Sequence, residues 1–107
     1  MKKYRLNEMA RGWFVGDFEP SAFKTKDCEV ALQQFKEGDY EQKHIHKVAT
    51  ELTLIVKGKA LMNRQECNEG DIIVLDKGES TDFKALTDVT NIVVKVPCAK
   101  GDKYIID

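Results

Sequence analysis

Four glycine-centred turn signals cut this chain into short strands, and that punctuation constrains its fold more than any other feature. The signals are Glu37-Gly38-Asp39, Lys57-Gly58-Lys59, Asn68-Glu69-Gly70-Asp71 and Lys77-Gly78-Glu79. Around them lie segments of strand-like composition at 13–15, 28–35, 40–46, 52–56, 60–63, 71–75, 80–84 and 90–96, with a further short strand at 104–106. No stretch carries a sustained 3.6-residue period, although residues 6–11 can form a helical turn. Short strands broken by Gly, Asn and Asp at near-regular spacing predict an all-β sandwich or barrel. A length of 107 residues is that of one domain, expected to run from residue 1 to 107. A domain of that size can bury a core without metal or disulfide staples.

Several of these segments are apolar on both faces. In Leu52-Thr53-Leu54-Ile55-Val56 successive side chains point to opposite sides. Glu51, Thr53 and Ile55 then share one face, and Leu52, Leu54 and Val56 the other. Ile72-Ile73-Val74-Leu75 and Ile92-Val93-Val94-Lys95-Val96 behave alike. A sheet in a small sandwich usually keeps one wet face. A second apolar face needs a cover, either the N-terminal segment or a second subunit, and a homodimer is the expectation.

Composition removes several functions. Lys and Arg number 17 against 18 Asp and Glu, and the two signs are interspersed, so no basic face for nucleic acid can be inferred. The start, Met-Lys-Lys-Tyr-Arg-Leu-Asn-Glu, has no apolar run behind its basic residues and does not read as a signal peptide. No segment approaches the ~20 apolar residues of a membrane span. Cys28, Cys67 and Cys98 match no Cys-x-x-Cys pattern and are expected as reduced thiols in a cytoplasmic protein. Trp13, Phe14 and Phe18 read as core or interface aromatics, and Lys43 and Lys47 as solvated surface.

The only two histidines, His44 and His46, stand one residue apart, and Glu51 follows five residues later. On an extended strand i and i+2 point the same way, so the two imidazoles face one side, ~7 Å apart along the backbone. Residues 48–50 can turn the chain and let Glu51 open the next strand toward the same space. Two imidazoles and a carboxylate suit Fe(II), Mn(II), Ni(II) or Zn(II), with positions left open for substrate or water. Gly38 and Gly58 frame the strand pair.

Gly38, His44, His46, Glu51 and Gly58 match every fixed position of a motif that opens the cupin superfamily domain: glycine, five residues, His-x-His, three or four residues, glutamate, six residues, glycine. The chain resembles a small single-domain cupin, which implies a jelly-roll barrel, also called a double-stranded β-helix. The second cupin motif is degenerate. Gly70 and Gly78 match its glycines, but Asp76, Thr81 and Ala85 stand where proline, histidine and asparagine are expected. In metal-binding cupins that histidine is usually the fourth protein ligand. With Thr81 in its place a bound metal should be held more weakly and can be lost on purification. Glu79 or Asp82 could approach from the same loop, depending on strand parity. The runs at 11–17 and 94–104 resemble small cupins of bacterial or phage origin. The His-x-His-Lys run is similar to that of cupin sugar-nucleotide ketoisomerases, although Gln42-Lys43 replaces their Arg-Gly.

Three functions follow from the resemblance. In a metal-dependent cupin acting on a small polar substrate, His44, His46 and Glu51 hold the metal while Gln42 and Thr81 face the ligand. In a metal-free sugar isomerase or epimerase, His44 or His46 moves a proton beside a carbonyl. In a non-catalytic carbohydrate- or ligand-binding cupin, Thr81 marks lost chemistry. One fold hosts many functions, so the fold does not choose among them.

Overall fold

The computed structural model describes residues 1–106. A single 3-10 turn, Leu6–Glu8, precedes ten strands. These are β1 Trp13–Val15, β2 Glu29–Phe35, β3 Tyr40–Ile45, β4 Thr50–Lys57, β5 Ala60–Met62, β6 Gln65–Cys67, β7 Ile72–Leu75, β8 Ser80–Ala85, β9 Val89–Val96 and β10 Tyr104–Ile105. They form two five-stranded sheets, ordered β1-β2-β9-β4-β7 and β10-β3-β8-β5-β6, with antiparallel pairing throughout. Among the described residues no helix is long and apolar enough to cross a membrane.

Three of the turn signals share one device. In Lys36–Asp39, Asn68–Asp71 and Asp76–Glu79 the fourth residue donates its N–H to the first residue's carbonyl at 2.9 Å. Its carboxylate then accepts the first residue's N–H, at 2.8, 2.7 and 2.9 Å respectively. Glycine fills the third position with φ of 92, 88 and 89°, a left-handed value that a side chain resists. At Gly58 the demand is also steric, because a Cβ there would lie 2.1 Å from the Asp88 carbonyl oxygen.

Strand β6 was not foreseen. It pairs with β5 through a two-residue connection, Asn63-Arg64, in which both residues have positive φ, 50 and 63°. That is the geometry of a type I′ hairpin turn, which usually announces itself as Asn-Gly. An arginine in the left-handed region carries no such signal. The foreseen strands agree with those observed to within about two residues at each end, the usual scatter of strand boundaries.

The core gathers at one end of the space between the sheets. Ile55, Leu75 and Val89 from the first sheet meet Ala60, Met62, Cys67, Phe83 and Ala85 from the second. Phe35 and Phe83 stack across the gap with ring centroids 4.6 Å apart. The other end stays polar. Along β4 the inward positions change from Ile55 to Thr53 and Glu51, and along β9 from Val89 to Asn91, Val93 and Lys95.

The outward face of the first sheet is apolar, as its alternation predicted. Two rows run across it in register, Leu32–Ile92–Leu54–Ile72 and Val30–Val94–Leu52–Val74. Ile72 and Val74 remain 65% and 52% exposed, so the N-terminal segment does not cover them. That segment instead contributes Ala10, Arg11 and Trp13 to the wall of the internal cavity.

Candidate metal centre

His44 ends up on the inner face by a route that simple alternation does not give. Strand β3 pairs with β8 as Glu41↔Phe83 and then His44↔Thr81, three residues against two, so a bulge falls at Gln42-Lys43. The extra residue inverts parity. Glu41 and His44 both face inward, whereas Gln42, expected to face the ligand, is exposed and lies off the cavity wall. Gln42 still serves the site through its backbone. His44 Nδ1 lies 2.9 Å from the Gln42 carbonyl oxygen. A carbonyl only accepts, so Nδ1 donates here, and Nε2 is the ring nitrogen turned to other partners.

His46 follows the end of β3, and Glu51 is the second residue of β4. His44, His46 and Glu51 are 6%, 4% and 8% exposed, and each offers a ligand atom within 4.8 Å of the other two. The imidazoles meet edge to face, 81° apart, with centroids at 5.3 Å. His46 Nε2 is buried without a hydrogen-bond partner. Burial, then the charges of Lys95 and His44, lowers the His46 pKa to about 4, so its ring is neutral at pH 7. Burial also pushes the Glu51 carboxyl up, an effect that the Lys95 ammonium opposes and the Glu41 carboxylate reinforces. A neutral imidazole with an orphaned nitrogen beside a desolvated carboxylate is a donor set short of one cation. The residues fit a divalent transition metal on that ground.

One residue that shapes this site gave no sign in the sequence. Asp102, only 7% exposed, lies on a turn closed by its N–H to the Ala99 carbonyl. Its Oδ1 accepts the N–H of Lys47 at 2.8 Å and of Val48 at 3.2 Å; its Oδ2 accepts Val48 at 3.1 Å and Ala49 at 2.9 Å. Those three amides are the segment between His46 and Glu51. Burial alone would raise the Asp102 pKa, but the donors at Ala49, Lys47 and Val48 outweigh it and hold the carboxyl below its ordinary value. From the other side, the Gly78 N–H donates to the His46 carbonyl at 2.8 Å. The ligand loop is pinned at both ends.

Thr81 stands directly across from His44, 2% exposed and on the cavity wall. Its hydroxyl donates to the Asp82 carbonyl at 2.7 Å, so its proton is already committed. Neither alternative acid reaches the site. The Glu79 carboxylate accepts the Asp76 N–H, the Asp82 carboxylate accepts the Asn63 N–H, and neither lines the cavity. Besides Glu51, the carboxylates on its wall are Glu19, Glu29 and Glu41, and the Glu41 Oε2 pairs with Lys103 at 3.4 Å. The cavity itself has a volume of about 560 Å³. Trp13 and Phe18 line it, so the N-terminal aromatics are cavity wall as well as packing.

Two facing antiparallel sheets, with a His-x-His pair and a glutamate on the inner wall, form the fold called a double-stranded β-helix. Solved structures carry the same architecture. The chain is similar to a double-stranded β-helix protein from Klebsiella pneumoniae, at 18% identity and TM-score 0.69, covering 76% of this chain and 71% of that one. It is similar to oxalate decarboxylase from Bacillus subtilis, at 16% identity and TM-score 0.67, covering 76% of this chain and 24% of that enzyme. Another structure of that decarboxylase is described by its Mn(II) centres. A cupin sugar phosphate isomerase from Silicibacter pomeroyi matches at 19% identity and TM-score 0.61, over 65% of this chain and 50% of that one. The chain thus spans about half the isomerase and a quarter of the decarboxylase. At these identities the likeness is one of fold. No family model and no curated protein matches the chain by sequence.

Proposed function

We propose that this protein is a divalent-metal cupin that binds a small polar ligand in its cavity, with His44, His46 and Glu51 as metal ligands. The observation that carries the reading is the orphaned, buried His46 Nε2 within 4.8 Å of ligand atoms on His44 and Glu51. An unpaired buried polar atom costs about 1–3 kcal/mol and persists where something outside the chain satisfies it. The Gln42 carbonyl supports the same reading, because a ligating histidine commonly donates its other ring N–H to such an acceptor. Mn(II) at the centres of a fold neighbour agrees with it. Bound there, the ion supplies Lewis acidity toward a ligand oxygen. The chain's own groups do the rest. Thr53 and Thr81 line the cavity as polar wall, Trp13 and Phe18 give it an aromatic wall, and Glu41 and Lys103 form an ion pair on it.

A metal-free isomerase using the histidines as acid and base is the weaker reading. A His46 pKa near 4 leaves a poor base at neutral pH. The test is a thermal melt with Mn(II), Fe(II), Ni(II) or Zn(II) added to chelator-treated protein. At a hundredfold excess over the dissociation constant, binding adds ~2.7 kcal/mol. That is a rise of about 10 °C for a domain of this size. The rise should vanish in His46→Ala. No rise with any of the four ions refutes the proposal.

A further inference from the structure

The wall beside the metal ligands holds groups that metal binding does not use. Lys95 faces inward on β9 between its cross-strand partners, Glu29 of β2 and Glu51 of β4. Its ammonium pairs with neither. Among the described residues the ion pairs are Lys24–Glu19, Lys59–Glu66, Lys100–Asp17 and Lys103–Glu41. The Lys95 Nζ lies instead over the Trp13 ring, 4.9 Å from its centroid, held as a cation on an aromatic face.

Arg11 is likewise free of any ion pair among the described residues. It belongs to a tight turn in which the Trp13 N–H donates to the Ala10 carbonyl at 3.0 Å, and Arg11 and Gly12 have φ of 51 and 83°. That turn sets Arg11 on the cavity wall beside Trp13. Deeper on the inner face of β9, Asn91 is 2% exposed and lines the same cavity. Its Oδ1 has no hydrogen-bond partner. A buried acceptor left open toward a cavity marks where a ligand's donor belongs.

With a divalent ion on Glu51, the charges of the wall do not balance without a ligand. Glu41 is paired with Lys103 and Glu19 with Lys24, and Glu51 is committed to the metal. Glu29 alone then remains among the lining carboxylates to oppose Lys95, Arg11 and the residual charge of a divalent ion. A partly desolvated cavity with surplus positive charge selects an anion.

We propose that the cavity takes a small polyhydroxylated anion, its carboxylate or phosphate held by Lys95 and Arg11 and one hydroxyl donating to Asn91 Oδ1. The charge balance rests on the metal reading, while the lysine, arginine and asparagine contacts do not. A volume of about 560 Å³ suits a ligand of sugar size.

Trp13 is the protein's only tryptophan, so its emission reports directly on this wall. The experiment titrates gluconate, glucose 6-phosphate and neutral sorbitol into metal-free and Mn(II)-loaded protein. Gluconate or the phosphate should give a saturable change, the tighter of the two identifying the anionic group, and sorbitol should give none. Lys95→Met should weaken anion binding about tenfold, equivalent to ~1.4 kcal/mol. Arg11→Gln should weaken it less, and both variants should keep the Mn(II)-induced rise in melting temperature. Asn91→Leu should narrow the preference for gluconate over hexanoate, which has no hydroxyls. An equal response to sorbitol, no saturable response to either anion, or wild-type titrations in both charge variants overturns the proposal. A Lys95-dependent anion response without any Mn(II) melting shift leaves the subsite standing and removes the metal.

Discussion

Asp102→Ala should loosen the proposed metal site, although Asp102 is not one of its three candidate ligands. The carboxylate accepts the N–H groups of Lys47, Val48 and Ala49 in four contacts of 2.8 to 3.2 Å. Hydrogen bonds to a charged acceptor contribute about 1.5–3 kcal/mol each, and neutral ones about 1. Lys47 and Val48 are exposed, so water can reach those two amides in the variant, whereas Ala49 is buried and its N–H stays unpaired. Counting the two amides that water can reach at about 1 kcal/mol each and the buried one at about 2 gives a loss of ~4 kcal/mol, or about 16 °C in melting temperature. Asp102→Asn keeps one acceptor oxygen and should lose roughly half as much. The freed loop also carries His46 and Glu51, so metal affinity should fall about 10- to 100-fold, as when other supports of metal ligands are removed.

Urea unfolding of the metal-free protein and a metal titration read the two effects separately. The pH dependence adds a third check. The folded Asp102 pKa lies below its unfolded value, so its contribution is complete above the unfolded value of about 3.9. It is lost as pH falls through the folded value, and the gap between wild type and Asp102→Ala should close there. A variant within ~0.5 kcal/mol of wild type, the range of a neutral surface change, and with unchanged metal affinity refutes the clamp.

Thr81→His should raise metal affinity by tenfold or more in a direct titration, since position 81 lies across from His44 on the cavity wall; unchanged affinity would mean that the new ring cannot turn inward. Glu51→Gln should abolish the metal response yet stabilise the metal-free protein at pH 7 by about 1 kcal/mol. Its folded pKa is raised by burial, so ionisation of Glu51 costs stability as pH rises through that value; a destabilised Glu51→Gln measured by urea unfolding contradicts this. The apolar rows on the outer sheet face call for a second copy of the chain as cover, so sedimentation should give a dimer. Val74→Lys should shift it to monomer, and a monomeric wild type at tens of micromolar would sink the idea.

Much of this protein is local chemistry, and local chemistry can be read from a sequence. Glycine followed by an acid sets three turns because the left-handed φ and the back-bonding carboxylate lie within four residues of each other. Alternation sorts Glu51, Thr53 and Ile55 to one face of β4 because the side-chain period of a strand is two. His44 and His46 share a face for the same reason, and the short loop after them returns the chain to Glu51. Tertiary structure decided the rest. The bulge at Gln42-Lys43 is visible only against β8, and it exchanges Gln42 for Glu41 on the cavity wall. The β5–β6 turn places an arginine where glycine would have been a signal. Asp102 acts on amides more than fifty residues away, and Lys95, Arg11 and Asn91 acquire meaning only as neighbours in one cavity. Turn and pleat are set by bonded neighbours, so the sequence determined the strand pattern and the grouping of His44, His46 and Glu51. Strand register and cavity charge arise from residues distant along the chain, so only the folded structure decided what surrounds those three side chains.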